Sequence, residues 1–454
     1  MNNSHALSTP VSTQLLHGIY QYLIDHKHHD IFNQLQAETH VEYDAALIHH
    51  TDNFLLNAVS QYNDANNSFS GTAVTIQQQY INTIKSDIYG ATNRSTPISR
   101  QIQQYQPHTA NILAIKLIQY NHQLYTITGS VDKTVVVYDI VNNVIICTIQ
   151  LQAPVLGVDY NSITKLALIG CMNGHSYIVD IHNQYNTNDN HILVHNTHHN
   201  KYIVSCKLSN DGKYYATGSH DMTVKIYSFD SSTYASQHII TIPFNTAVES
   251  IEYFIDQYKL FISTRENNFI YICDIQQHIS FSAQPVTVPY TQLSRYNMNV
   301  SGDLHVSFTA LHLSISPNGK LLAVATDKHR IIIFTTAMAQ DNNVQHHNTN
   351  QSHTDLLNSS IGLQYCNLYD IVNDGYSTPR ITWSDDNRYI YVTSQHEHSI
   401  VGYDVTTAQR VSTLTGHQSI VRDVTYTVYN DQSILASCSY DRSVRLWSNQ
   451  TISL

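Results

Sequence analysis

Charge is what this 454-residue sequence has little of: Asp, Glu, Lys and Arg make up 13% of it. No Lys/Arg cluster stands out, so nothing supports the neutralisation of a phosphate backbone, and direct nucleic-acid binding is not expected. No apolar run approaches the roughly 20 residues of a membrane helix. The start, Met1-Asn2-Asn3-Ser4-His5, has neither the basic nor the apolar region of a secretory leader. The six cysteines, Cys147, Cys171, Cys206, Cys273, Cys366 and Cys438, form no C-x-x-C pair. Runs such as Tyr271-Ile272-Cys273 make them read as buried thiols in a reducing, intracellular compartment, cytoplasmic or nuclear. There is no Gly-rich phosphate loop and no Gly-x-Ser-x-Gly elbow. Gly212-Lys213 and Gly319-Lys320 read as turn dipeptides, and Asp385-Asp386 as adjacent carboxylates that point apart. The histidine groups at 26, 28 and 29 and at 195, 198 and 199 have no cysteine nearby and no ligand spacing. Neither metal nor cofactor is expected, and the chain reads as not an enzyme.

Apolar residues make up 42% of the chain, enough for a large core, and polarity comes from Asn, Gln, Ser, Thr, His and 32 tyrosines. The formal charge of −11 fits basic protein partners, and equally fits plain solubility. Residues 12–60 read as helical: Leu16, Ile19, Tyr20 and Leu23 fall at helical spacing, and Ile31, Phe32 and Leu35 resume it after His26-Lys27-His28-His29. A polar, turn-prone linker begins at 63, and residues 73–88 have room for one more helix.

From about residue 98 the pattern changes to short strands. His417 precedes Asp441 by 24 residues and Asp441 precedes Trp447 by six, with Ser437 between. The set returns as His108, Thr128, Asp132 and Tyr138, and again as His199, Thr217, Asp221 and Tyr227. Anchored on the Trp447 position, seven units follow in one register, at Tyr138, Val179, Tyr227, Cys273, Phe334, Tyr403 and Trp447. Six residues before each lies a turn residue: Asp132, Asn173, Asp221, Asn267, Lys328, Glu397 and Asp441. Surplus length sits at about 183–196, 280–303 and 336–360. A unit of roughly 40–50 residues of this kind builds a propeller blade, so the fold class is an all-β seven-bladed β-propeller with a small α-helical N-terminal segment. Ile102 to His108 matches Val411 to His417 position for position, so the segment near 99–105 should be the fourth strand of the last blade.

Over roughly residues 98–450 these repeats resemble the WD-repeat family. The resemblance implies a hydrogen-bonded set inside each of three blades: His108, Thr128, Asp132 and Tyr138; His199, Thr217, Asp221 and Tyr227; His417, Ser437, Asp441 and Trp447. The four blades with Asn173, Asn267, Lys328 and Glu397 at the turn should rely more on apolar packing. Residues 12–40 resemble a LisH motif, through Leu15, Ile19, Tyr22, Leu23, Phe32, Leu35, Glu38 and Thr39. That likeness implies a homodimer with Leu15, Ile19, Tyr22, Leu23, Phe32 and Leu35 as contacts, followed by a helical extension and linker over 41–97. The WD-repeat likeness further implies that proteins or peptides dock on the ring face holding the turns between second and third strands. His220, Arg265, Asp327, His396, Tyr440 and Arg442 are the candidate contacts. The function expected is a non-catalytic adaptor within a larger intracellular complex, a nuclear RNA-processing or ubiquitin-ligase assembly being alternatives. A catalytic propeller would need convergent carboxylates or metal ligands at the ring axis.

Overall fold

The computed structural model of the chain describes residues 95–182, 191–255, 258–278, 284–299, 306–336, 361–372 and 378–450, with Ile81, Asn82 and Lys85. The chain divides into two compact units, Met1–Thr83 and Ile84–Leu454. The LisH-like residues and the expected dimer contacts lie outside the described residues; Ile81, Asn82 and Lys85 are helical. No helix among the described residues is long and apolar enough to cross a membrane.

The second unit is a seven-bladed propeller of antiparallel sheets. Blade 1 shows the plan: Ile112–Tyr120 is innermost, then Gln123–Ser130, Thr134–Asp139 and, outermost, Val144–Gln150. Second and third strands are buried on both faces, as in Leu166–Cys171 of blade 2 and Leu321–Thr326 of blade 5. That is why they read as continuous Leu, Ile, Val and Ala runs rather than alternating ones. Outer strands alternate or expose most of their side chains, as in Gln409–Leu414 of blade 6. The apolar core lies between blades: Ile112, Ile115 and Leu117 of blade 1 pack with Ile434, Ala436 and Leu446 of blade 7.

The ring closes with both ends of the propeller in one sheet. Gln101–Tyr105 pairs antiparallel with Val444–Trp447, Gln101 facing Trp447 and Tyr105 facing Val444. Two of the stretches read as surplus hold real strands. Ile192–Asn196 is the outer strand of blade 2, and Ser294–Asn297 that of blade 4. Between blades 3 and 4 the chain detours, and Val286–Thr287 adds a fifth, parallel strand to blade 3 beside Ala235–Pro243.

Candidate functional site: the turn-bearing face and the ring axis

The turn between second and third strands makes each blade's end. In three blades Asp132, Asp221 and Asp441 accept the N–H two residues on, from Thr134, Thr223 and Ser443, at 3.1, 3.0 and 2.8 Å. The intervening residue is left-handed, at φ 68° for Lys133, 69° for Met222 and 67° for Arg442. In blade 2 glycine takes this position: Gly174 has φ +83°, and a Cβ there would meet the His199 carbonyl at 2.4 Å.

Each of these aspartates also reaches a histidine from the preceding loop. In blade 7 His417 Nδ1 lies 2.9 Å from Asp441, His417 Nε2 lies 2.8 Å from Ser437 Oγ, and Trp447 Nε1–H donates to Ser437 Oγ at 2.9 Å. The geometry fixes the order: indole N–H to hydroxyl, hydroxyl to Nε2, Nδ1–H to carboxylate. The imidazole is neutral, and burial lowers its pKa against the pull of Asp441. Burial opposes the ionisation of Asp441, yet the bonds from His417, Ser443 and Gln418 N–H hold its carboxyl well below the usual range. In blade 3 His199 stands 2.8 Å from both Asp221 and Thr217. In blade 1 His108 stands 3.2 Å from Asp132 and 2.8 Å from Thr128.

The two tyrosines depart from the Trp447 role. Tyr138 stands outside its set: its hydroxyl donates to Asn143 at 3.2 Å, and its ring stacks on Tyr105 with centroids 3.9 Å apart. Tyr227 is buried, within reach of Thr217 and 3.0 Å from His198 Nδ1. In the other four blades the position of Thr128 is held by Ile169, Ile262, Val324 and Val392, all fully buried. Without a hydroxyl there the relay has no middle member, and packing takes its place. Blade 5 shifts its anchor by one residue, since Asp327 rather than Lys328 accepts the N–H of Phe308 and Thr309, at 2.9 and 3.0 Å.

Acidification should therefore weaken the ring. Burial lowers His108, His312 and His417 below their ordinary range, and it pushes His220 and His238 down to about 4 with help from nearby cations. Each binds a proton more readily unfolded than folded, so its contribution is complete above the unfolded pKa near 6.5 and is lost as pH falls through the folded value. We expect the melting temperature to fall steadily from pH 6.5 to pH 4, and scanning fluorimetry across that window checks it.

Innermost strands have a ladder partner on one side only, so half their N–H groups need acceptors from elsewhere. The preceding blade supplies them. Asp423 accepts Ile115 N–H at 3.0 Å, Ser205 accepts Ile251 N–H at 3.2 Å and Ser250 accepts Leu313 N–H at 3.1 Å. His312 Nδ1 accepts Ile381 N–H at 3.3 Å. One turn of the pleat further along, two ion pairs sit side by side. Lys116 Nζ is 2.9 Å from Asp159, and Lys207 Nζ is 2.8 Å from Glu252. Burial alone would lower Lys207, but Glu252 and Asp159 reverse this and hold it above its usual range. Carboxylates thus do converge at the axis, each beside a lysine. None of Lys116, Asp159, Lys207 or Glu252 was predicted as a site residue. The only trace they leave is a charge between apolar neighbours, as in Ile115-Lys116-Leu117.

The candidate contacts all stand at the turn-bearing face, in different states. His220 packs against Tyr202, the rings tilted by 33° with centroids 4.2 Å apart. Arg265 is half-exposed, and its Nε–H donates to the buried Glu249 at 2.6 Å. Asp327 is engaged by the backbone bonds above. His396 and Arg442 are exposed and Tyr440 is half-buried. Eleven large apolar side chains are exposed among the described residues. Six belong to this face: Val131, Met172, Met222, Val306, Phe308 and Val372. Phe308, 57% exposed, lies beneath Lys328 Nζ at 5.1 Å from its centroid.

The family model for WD domain, G-beta repeat, matches residues 99–139, 190–228 and 408–448. These ranges hold most of blade 1, the first three strands of blade 3 with the loop that brings in His199, and the loop and strands of blade 7 that carry Asp441 and Trp447. No curated protein matches the chain. The molecule is thus a seven-bladed propeller bearing WD40 repeats, an architecture that typically serves as a non-catalytic scaffold for protein interaction.

Proposed function

We propose that this chain is an adaptor that holds other proteins or peptides on the turn-bearing face of its propeller and pairs with a second copy through residues 12–40. The bias of exposed apolar side chains toward that face carries the reading: six of the eleven among the described residues stand there, on the ends of several blades. His220, His396, Tyr440 and the two arginines Arg265 and Arg442 add polar and aromatic anchors around it. The axial carboxylates are neutralised by Lys116 and Lys207, which favours scaffold over catalyst. Pairing would present two such faces, and two weak contacts would gain from effective concentration.

Met172→Asp and Phe308→Asp should each weaken capture of a partner at least about tenfold, since each buries a charge in the contact. Neither should lower the melting temperature, because both side chains stand in solvent. Unchanged capture by both variants would remove this face. Repeating the capture with a chain lacking residues 1–62 separates what the ring holds from what pairing adds.

A further inference from the structure

Where the axis opens toward the turn-bearing face, the structure holds more positive charge than it neutralises. A cavity of about 140 Å³ lies there, lined by Arg380, His312, Asp423 and Ser205 among others. Arg380 Nε is sealed from solvent and has no hydrogen-bond partner among the described residues. A buried, unpaired guanidinium nitrogen is costly, and native structures rarely leave one without a ligand or water. Arg422, from the next blade's inner strand, is near enough for its charge to oppose that of Arg380. Burial first, then Arg422, push the Arg380 guanidinium down to about 10, against the partial pull of Asp423 and Glu249.

The nearby anions are already engaged. Glu249 takes Arg265 at 2.6 Å, Asp159 takes Lys116, and Glu252 takes Lys207. Asp423 accepts the N–H groups of Ile115 and Val424, at 3.0 and 2.9 Å, and its single charge offsets only one of the two arginines. Among the described residues no carboxylate forms an ion pair with Arg380 or Arg422. His312 accepts a backbone N–H on Nδ1, so its neutral ring keeps the proton on Nε2 and remains a donor. The whole chain carries −11, so a surplus cation here is a local feature of the axis and not a general property of the surface.

We propose that the mouth of the axial channel binds one carboxylate of an acidic peptide segment, with Arg380 and Arg422 as its partners and the apolar face around it holding the flanking residues. This rests on the reading of that face as the docking surface and names the chemistry of the partner. A guanidinium pair accepts a carboxylate in the forked geometry that a lysine cannot match.

The test uses the full chain and a fluorescein-labelled hexaglutamate peptide, followed by anisotropy at low salt, with hexaglutamine, hexalysine and inorganic phosphate as comparison probes. Hexaglutamate should bind, and hexaglutamine and hexalysine should not. Arg380→Gln and Arg422→Gln should each weaken hexaglutamate at least about tenfold. Should Arg380→Gln fail to fold, Arg422→Gln, on a half-buried side chain of the next blade's inner strand, carries the test alone. Hexaglutamate bound equally by wild type and both folded variants overturns the site. Phosphate bound where hexaglutamate is not would make the ligand a free anion and overturn the peptide source. If Met172→Asp and Phe308→Asp abolish partner capture while the arginine variants keep hexaglutamate, the face stands and the axial site falls. The opposite pattern keeps the axial site and removes the face.

Discussion

A chain lacking residues 98–106 should show no cooperative unfolding transition at the temperature where the intact ring melts, and should aggregate. The segment is short, but three kinds of contact end with it. Gln101–Tyr105 is the fourth strand of blade 7, and its loss leaves Val444–Trp447 as a free edge, an open template for pairing with another molecule. Ile98 is fully buried, and its N–H donates to Tyr391 Oη at 2.9 Å, tying the entering chain to blade 6. Tyr105 stacks on Tyr138 of blade 1, and its hydroxyl bonds Thr126 Oγ1. One segment therefore joins blades 6, 7 and 1, which an interrupted ring cannot replace. Differential scanning calorimetry decides it, and a truncated chain with an unchanged melting temperature would refute closure by this strand.

Lys207→Met should destabilise the propeller by about 3 kcal/mol, although methionine fits the volume. The lysine stands 2.8 Å from Glu252 and beside Asp159, both largely buried. Removing it leaves two carboxylates with only Lys116 to answer them. The double change Lys207→Met with Glu252→Leu should recover most of the loss, because it removes charge and counter-charge together. Urea denaturation of the two variants measures the difference. A single variant as stable as the double one would mean that water already screens this pair.

Different parts of this molecule were legible in the sequence for different reasons. Three blades announce themselves because His417, Ser437, Asp441 and Trp447 must meet in space, and the meeting fixes their intervals. The other blades show through register and through apolar runs such as Leu321-Leu322-Ala323-Val324, since strands buried on both faces leave no alternation. Ring closure could be read because Ile102 to His108 copies the segment before His417. The axis could not. Lys116, Asp159, Lys207 and Glu252 each look like an ordinary solvent-facing position of a half-buried strand. Only when seven inner strands converge do those positions face one another, at sequence distances no local pattern encodes. The same holds for Phe308, which stands in Val306-Ser307-Phe308-Thr309 with no periodicity around it. Tyr138 departs from the Trp447 role because its ring stacks on Tyr105 and its hydroxyl turns to Asn143, whereas the buried Tyr227 keeps its hydroxyl within reach of Thr217.

Lysine acetylation read by mass spectrometry, with and without a bound protein partner, tests the central claim most directly. Lys133, Lys201 and Lys328 stand on the turn-bearing face, while Lys165, Lys213 and Lys320 stand at the opposite end of the blades. Binding should protect the first three and leave the second three as reactive as in the free chain. Protection of Lys165, Lys213 and Lys320 instead would contradict the account.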